Sequence, residues 1–152
     1  MRCNNGVEYT PEVEDVLMPG QYPLGAKGLS PFRDLVGVTF TKVENGYSHC
    51  FLEGDKKLLN PAGIVHGGAI YTLADSGMGA ALYSFIEEGE LFLTVEANIF
   101  YFKAVSSGTL TCESKVVHRG KRIAVIEAEI KNEGQLVAKA MGTFSIYRGK
   151  KF

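Results

Sequence analysis

The spacing of apolar side chains along the chain changes once, near residue 90. Before that point, over residues 67–88, apolar or small residues recur with the 3.6-residue period of a helix, at Ile70, Leu73, Ala74, Gly77, Ala81 and Phe85. Gly89 follows and suits the C′ position that ends a helix. After Gly89 the period falls to two, which predicts strands at residues 91–102, 109–118, 123–131 and 135–147.

Upstream of the helix the pattern predicts a β-hairpin. β-branched and apolar residues occupy residues 36–43 and 47–52, on either side of Asn45-Gly46. Asn-Gly between two such runs is a strong signal for a type I′ turn. The later strands are also joined by short turns that contain glycine, so we expect one antiparallel sheet.

The chain divides into a short lead-in and one domain. Residues 1–34 are rich in turn-forming proline and glycine. The acidic run at residues 12–15 is a candidate helical turn, and residues 31–36 predict a short helix before the first strand. Residues 35–152 contain all the predicted strands and the long helix. Because a single apolar helix needs a sheet to cover it, we predict an α+β fold, with an antiparallel sheet wrapped around one long central helix.

Composition narrows the class of protein. The chain has 152 residues and a net charge of -1, so it suits one domain and does not predict binding to nucleic acid. No basic segment followed by an apolar core begins it, so we expect no signal peptide. The cysteines and histidines are too scattered for a local metal site or a disulfide framework, and a reducing cytoplasm fits them best: Cys3, Cys50, Cys112, His49, His66 and His118.

One apolar segment is long enough to span a bilayer, at residues 63–86. It contains Asp75, and a carboxylate in the middle of a span costs about 2.5–3.5 kcal/mol on insertion scales. No second span accompanies it. We therefore interpret the segment as a buried helix and expect no membrane association.

The segment that begins at Asn60 is the strongest candidate for chemistry. It reads Asn-Pro-Ala-Gly-Ile-Val-His-Gly-Gly up to Gly68, and Asp75 follows nine residues after His66. A helix start presents unpaired backbone N–H groups and the positive end of the helix dipole, which suit an oxyanion. A carboxylate within an apolar helix is costly unless it is paired or functional. These two features within ten residues predict an active site.

Each residue of this segment has a catalytic and a structural interpretation. Asp75 is a general base or a nucleophile, or else a carboxylate satisfied by a neighbouring strand. The Gly67 N–H forms an oxyanion hole and Gly68 lets substrate approach the backbone, or both glycines only form a tight turn. His66 polarises a carbonyl or holds the loop. The Asn60 amide donates to substrate, or it marks a turn before proline.

Helix geometry places Gly67 and Asp75 too far apart to act on one atom within a single subunit. If the helix starts near Gly67, Asp75 lies about 12 Å along its axis, at roughly 1.5 Å per residue. A reacting carbonyl must lie within about 3 Å of both its donor and its base. If both residues are catalytic, we expect an obligate homodimer in which each site combines Gly67 of one subunit with Asp75 of the other.

A second cluster of candidates surrounds the predicted turn at Gly120. Four potentially cationic side chains occur there and are candidates for binding the phosphates of a substrate, although a charged hairpin turn is the alternative: His118, Arg119, Lys121 and Arg122. Five aromatic residues near the motif are candidates for an acyl pocket, although core is the interpretation we favour for most of them: Tyr71, Tyr83, Phe85, Phe100 and Phe102.

The order of elements and the motif together resemble the hot-dog fold, and in particular the phenylacetyl-CoA (PaaI-like) branch of acyl-CoA thioesterases. The resemblance covers residues 35–147 and rests on Asn60, Gly63, His66-Gly67-Gly68, Leu73, Asp75, Thr94-Val95-Glu96, Asn98-Ile99, Tyr101, Gly108, Gly120-Lys121, Val137-Ala138-Lys139-Ala140 and Thr143-Phe144. It implies hydrolysis of an acyl-CoA without a metal or redox cofactor, in dimers that often pair into homotetramers. It also implies that Thr94 orients water beside Asp75.

Simple alternation places Thr94 on one strand face with Glu96 and Asn98, where it borders the site or merely faces solvent. Two other functions remain open. A hot-dog hydratase or dehydratase would use His66 and Asp75 on the acyl chain, and a non-catalytic protein would only bind acyl-CoA. Neither the acyl group nor the choice between base and nucleophile follows from the sequence.

Overall fold

A six-stranded antiparallel sheet wraps one long helix. The computed structural model describes Tyr22, Leu24 and residues 30–149. Its elements in chain order are α1 (Pro31–Val36), β1 (Thr39–Glu44), β2 (Tyr47–Glu53), a 3-10 turn (Lys56–Leu58), α2 (Gly67–Tyr83), β3 (Glu90–Tyr101), β4 (Thr109–Arg119), β5 (Ile123–Asn132) and β6 (Gln135–Arg148). The predicted α+β class and the four late strands are confirmed, with strand ends within one residue of those expected.

The strand order is β1-β2-β4-β5-β6-β3, and all five pairings are antiparallel. The first strand after α2 therefore forms one edge of the sheet, and β1 forms the other. Asn45 and Gly46 have φ angles of 48° and 75°, as the predicted type I′ hairpin requires. The predicted lead-in lies mostly outside the described residues.

Small residues on α2 let the helix lie against the sheet. Leu73 and Met78 are fully buried. A Cβ at Gly77 would lie 2.6 Å from Ser114 Oγ and 3.1 Å from Cys112 Sγ, so only glycine fits at this contact. The buried Ser48 hydroxyl donates to the Gly77 carbonyl at 2.7 Å. The sheet therefore packs directly against the backbone of the helix at Gly77.

The helix ends earlier than its apolar pattern predicts. It stops at Tyr83, and Phe85 lies beyond it, 47% exposed, while Gly89 belongs to a turn before β3. Just past this end, the Ser84 hydroxyl donates to Ala81 O at 2.8 Å and accepts from the Gly46 N–H of the β1–β2 turn at 2.9 Å. Among the described helices, none is both long and apolar enough to cross a membrane.

Candidate active site

Asp75 lies in the middle of α2 and is partly buried, as the sequence predicts. The Thr94 hydroxyl of β3 donates to Asp75 Oδ1 at 3.2 Å. Burial raises the pKa of the Asp75 carboxyl, and the hydrogen bond from Thr94 lowers it by a smaller amount. The carboxylate is therefore more basic than an ordinary aspartate, which suits it to accept a proton.

A β-bulge directs Thr94 toward the helix. The pairing of β3 with β6 skips Val95, so two residues of β3 fit against one of β6. Thr94 lies opposite Phe144, whose side chain is buried beneath α2. Glu96 lies opposite the next residue of β6 and so faces away from the helix, together with Asn98, which donates to it at 2.9 Å. The prediction that these three β3 residues share one face is wrong.

A cavity of about 260 Å³ opens beside Asp75. Its walls are mostly aromatic or small, and the lining residues are Tyr22, Ser30, Arg33, Asp75, Ser76, Gly79, Ala80, Tyr83, Phe92, Thr94 and Phe144. Tyr83 is one of the aromatic residues that the sequence predicts as pocket candidates, whereas Tyr22 and Arg33 were not predicted. Arg33 is buried with Val36 on one face of α1, and their i, i+3 spacing in the predicted short helix was the available signal.

At the start of α2 the histidine caps the helix. His66 Nδ1 accepts a hydrogen bond from the Gly68 N–H at 2.9 Å. Gly67 is the first helical residue, and its N–H has no acceptor among the residues that the structure describes. Its carbonyl accepts from the Tyr101 hydroxyl at 2.9 Å. The capping geometry thus leaves the Gly67 amide as the donor at this helix end.

Asn60 organises the loop that precedes the helix. Its Oδ1 accepts from the Ala62 N–H at 2.9 Å and from the Ile64 N–H at 3.4 Å. The turn interpretation of Asn60 is therefore confirmed. None of the hydrogen bonds among the described residues uses its amide Nδ2, which leaves this donor for a ligand.

The predicted site residues fall into separate cavities of one chain. Asn60 and Gly67 line a cavity of about 280 Å³, whereas Asp75 and Thr94 line the cavity of about 260 Å³. His66 and Gly68 line a third, of about 330 Å³. One chain therefore does not bring the Gly67 amide and the Asp75 carboxylate to one reacting atom.

The cationic cluster is brought together only in part. Arg119 forms an ion pair with the buried Glu90 carboxylate and donates to Gly120 O at 2.7 Å. Lys121 and Arg122 are exposed and line a cavity of about 430 Å³ that also contains Glu90. His118 is exposed and does not line this cavity. Phosphate binding stays a prediction for these residues, and Arg119 already has a carboxylate partner.

Comparison with known proteins identifies related chains. The sequence profile of the thioesterase superfamily matches residues 62–139. A putative esterase of Archaeoglobus fulgidus is 35% identical over 76% of this chain and 73% of its own length. A 1,4-dihydroxy-2-naphthoyl-CoA hydrolase of Listeria monocytogenes is 28% identical over 66% of this chain and 82% of its own. A variant of the phenylacetic acid degradation protein PaaI from Thermus thermophilus superposes with a TM-score of 0.71, at 26% identity, over 76% of this chain and 98% of that one.

Proposed function

The chain belongs to the thioesterase superfamily and is a thioester hydrolase, and we propose that its substrate is an acyl-coenzyme A, cleaved to a free acid and coenzyme A. The observation that carries the proposal is the partly buried Asp75, held by Thr94 beside a cavity. The similarity to a naphthoyl-CoA hydrolase supports coenzyme A as the thiol. The hot-dog resemblance stated from the sequence points to the same reaction.

Asp75 acts on the thioester carbonyl carbon in one of two ways. As a general base it takes a proton from water while the water oxygen bonds to the carbon. As a nucleophile its own oxygen bonds to the carbon, and water then cleaves the resulting anhydride. In the first route the C–S bond then breaks, and the proton that Asp75 took from water passes to the leaving sulfur. In the second route the C–S bond breaks as the anhydride forms, and the thiolate takes the proton lost by the water that cleaves the anhydride, which restores the Asp75 carboxylate. We expect no redox cofactor, because hydrolysis changes no oxidation state, and no metal, because the resemblance stated from the sequence implies none.

The negative charge that develops on the carbonyl oxygen needs a donor. The Gly67 N–H at the positive end of α2 is suited to this role, and the Asn60 Nδ2 in the same cavity is a second donor. His66 caps the helix and so holds the Gly67 amide in place, and its exposed ring remains a candidate for contact with the thioester. We propose that Gly68, which has no side chain, lets the substrate approach the backbone closely.

Each active site is proposed to combine two subunits. Gly67 and Asp75 lie about 12 Å apart along one helix, at roughly 1.5 Å per residue. Two α2 helices that run antiparallel across a two-fold axis would bring the Gly67 of one subunit to the Asp75 of its partner. The edge strand β3 supports such pairing, since twelve residues have one unpaired backbone edge and Val95 is 61% exposed. The resemblance extends the proposal to a homotetramer of two such dimers.

Release of free thiol from a panel of acyl-coenzyme A esters tests the proposal. The Asp75→Asn variant keeps the size of the side chain and removes its basicity. We expect its kcat to fall by roughly 100-fold or more, the scale of general acid–base catalysis. The matched control is Asp55→Asn, because Asp55 lies on an exposed loop and only caps the 3-10 turn; we expect kcat close to that of the wild type.

Two outcomes would contradict the proposal. Equal rates from wild type and Asp75→Asn would show that another group activates the water. Absence of thiol release from every ester, with tight binding or with loss of enoyl absorbance, would favour an acyl-CoA-binding protein or a hydratase instead. No specific contact favours the hydratase: the one hydrogen bond that the described residues give the His66 ring is the cap, in which Nδ1 accepts from the Gly68 N–H.

A further inference from the structure

The cavity beside Asp75 contains a second polar group that the proposed hydrolysis does not use. Arg33 and Tyr22 line the same cavity as Asp75. Arg33 pairs with Asp34, at 3.1 Å, whereas Asp75 accepts its hydrogen bond from Thr94. The cavity therefore has two separate polar places, the catalytic carboxylate and the pair of Arg33 with Tyr22, and between them the lining is mostly apolar.

The Tyr22 side chain is held firmly. Its ring lies 4.8 Å from the Phe40 ring and 5.8 Å from the Tyr83 ring, measured between centroids. The Arg33 Nη1 donates to the Tyr22 hydroxyl oxygen at 2.7 Å. Because that oxygen accepts a charge-assisted bond, the hydroxyl hydrogen is polarised and can be donated elsewhere.

That hydrogen has no acceptor among the residues that the structure describes. A hydroxyl donor within a largely apolar cavity is unfavourable without a partner. Burial raises the pKa of the Tyr22 phenol, so the hydroxyl stays protonated near neutral pH. An acyl group that fills the cavity therefore meets a fixed donor away from the thioester.

The Arg33 guanidinium already faces the Asp34 carboxylate, so a second carboxylate on the substrate would meet like charge. An uncharged oxygen, such as a keto, ether or hydroxyl oxygen, accepts from Tyr22 without that penalty. The cavity volume of about 260 Å³ is below the roughly 300–1,000 Å³ typical of small-molecule sites, which favours a small acyl group.

We propose that this cavity is the acyl pocket and that it selects small acyl groups with an uncharged oxygen acceptor at the end away from the thioester, with Tyr22 as the specificity-determining residue. The inference rests on the proposed hydrolysis of acyl-coenzyme A esters. It goes beyond that proposal because it names the chemistry of the acyl group.

Three esters of matched chain length test it: hexanoyl-, 5-oxohexanoyl- and hexanedioyl-coenzyme A. We expect the wild type to prefer the 5-oxohexanoyl ester over the hexanoyl ester by about fivefold to tenfold in kcat/KM, the scale of one hydrogen bond. The hexanedioyl ester should be the poorest, because its terminal carboxylate lies near Asp34. In Tyr22→Phe the preference for the keto ester should fall to about parity.

The matched control is Tyr47→Phe, whose hydroxyl contacts Glu113 at 3.4 Å outside this cavity; we expect it to keep the wild-type preference. A wild type without preference, or a Tyr22→Phe variant that retains it, would overturn the inference. Loss of all three activities in Tyr22→Phe would also overturn it, since Tyr22 would then serve folding or chemistry and not selection. Hydrolysis of none of the esters by the wild type would refute the proposed function itself.

Discussion

The start and the middle of α2 hold their polar groups in different ways. At the start, His66 Nδ1 and Asn60 Oδ1 accept hydrogen bonds from backbone amides of their own loop. In the middle, Asp75 accepts a hydrogen bond from the Thr94 hydroxyl and is otherwise partly desolvated. The start is thus built to present a backbone amide in a fixed direction, and the middle keeps a carboxylate basic.

The start and the middle of α2 also differ in their effect on the stability of the fold. A helix cap such as His66 satisfies an amide that would otherwise lack a partner, and caps typically contribute about 0.5–2 kcal/mol. Burial of Asp75 works in the opposite direction, because it disfavours the charged form of the carboxylate. In the proposed enzyme a locally stable element therefore positions the oxyanion donor, and a locally unfavourable one supplies the base.

The largest effect at the start of the helix is expected from Gly67→Pro, which removes the N–H. Gly67 is the first helical residue, where proline is well tolerated, and His66 has φ −60° and ψ 134°, which suit a residue before proline. We expect kcat to fall by about 10²–10³-fold, the effect of losing one oxyanion-hole donor. Steady-state thiol release measures it.

Gly67→Ala is the control for this change, because it keeps the N–H. Its Cβ would lie 3.4 Å from the Tyr101 ring, an ordinary contact. If the amide is the oxyanion donor, the alanine variant retains most of its activity. Equal losses in the proline and alanine variants would instead point to a steric effect of the added carbon.

Asn60→Asp separates the structural from the catalytic use of Asn60. A carboxylate keeps the acceptor that binds the Ala62 and Ile64 amides but lacks the Nδ2 donor. We expect an intact loop, with a melting temperature close to that of the wild type, and a decrease in kcat/KM of about 10–100-fold on the scale of a lost charge-stabilising bond. Unchanged kcat/KM would confine Asn60 to its role in the turn.

The smallest effect is expected in the middle of the helix, from Thr94→Val. The Thr94 hydrogen bond lowers the pKa of Asp75, so its removal leaves burial unopposed and raises that pKa further. The acid limb of the kcat/KM–pH profile should move to higher pH. At pH values below this limb we expect kcat/KM to be about tenfold lower than in the wild type. Thr94→Ser keeps the hydroxyl, so its acid limb should lie at the wild-type pH. An acid limb at the same pH in the valine and serine variants would contradict a role for the Thr94–Asp75 hydrogen bond.

Strands β2, β4, β5 and β6 were predictable because alternate residues of each are buried, which imposes a period of two on the sequence. In β3 the predicted face of the side chains was wrong, because one extra residue interrupts the period of two. Val95 is a valine in a strand like any other, so nothing in the sequence indicates that the pairing skips it. The bulge reverses the face of Glu96 and brings Thr94 to Asp75, which alternation alone did not predict.

The other errors also have tertiary causes. The apolar pattern continues past Tyr83, but Ser84 accepts a hydrogen bond from the Gly46 N–H at 2.9 Å, a contact across 38 residues. The His66–Gly68 motif and Asp75 lie at the start and middle of the helix as predicted, since both depend only on local helix geometry. Tyr22 and Arg33 lie outside the recognised motif. The i, i+3 spacing of Arg33 and Val36 in the predicted short helix was a signal for the burial of Arg33, whereas no local pattern indicates Tyr22.

The central claim is that each active site combines Gly67 of one subunit with Asp75 of another, and mixed subunits test it most directly. Asp75→Asn and Gly67→Pro chains, each nearly inactive alone, are unfolded, combined in equal amounts, refolded together and assayed for thiol release. We predict recovery of about one quarter of wild-type activity, because half of the randomly formed pairs are mixed and each mixed pair contains one intact site. Activity that stays at the mean of the two parent variants, in a sample where mixed pairs are demonstrated by mass, would contradict the composite site.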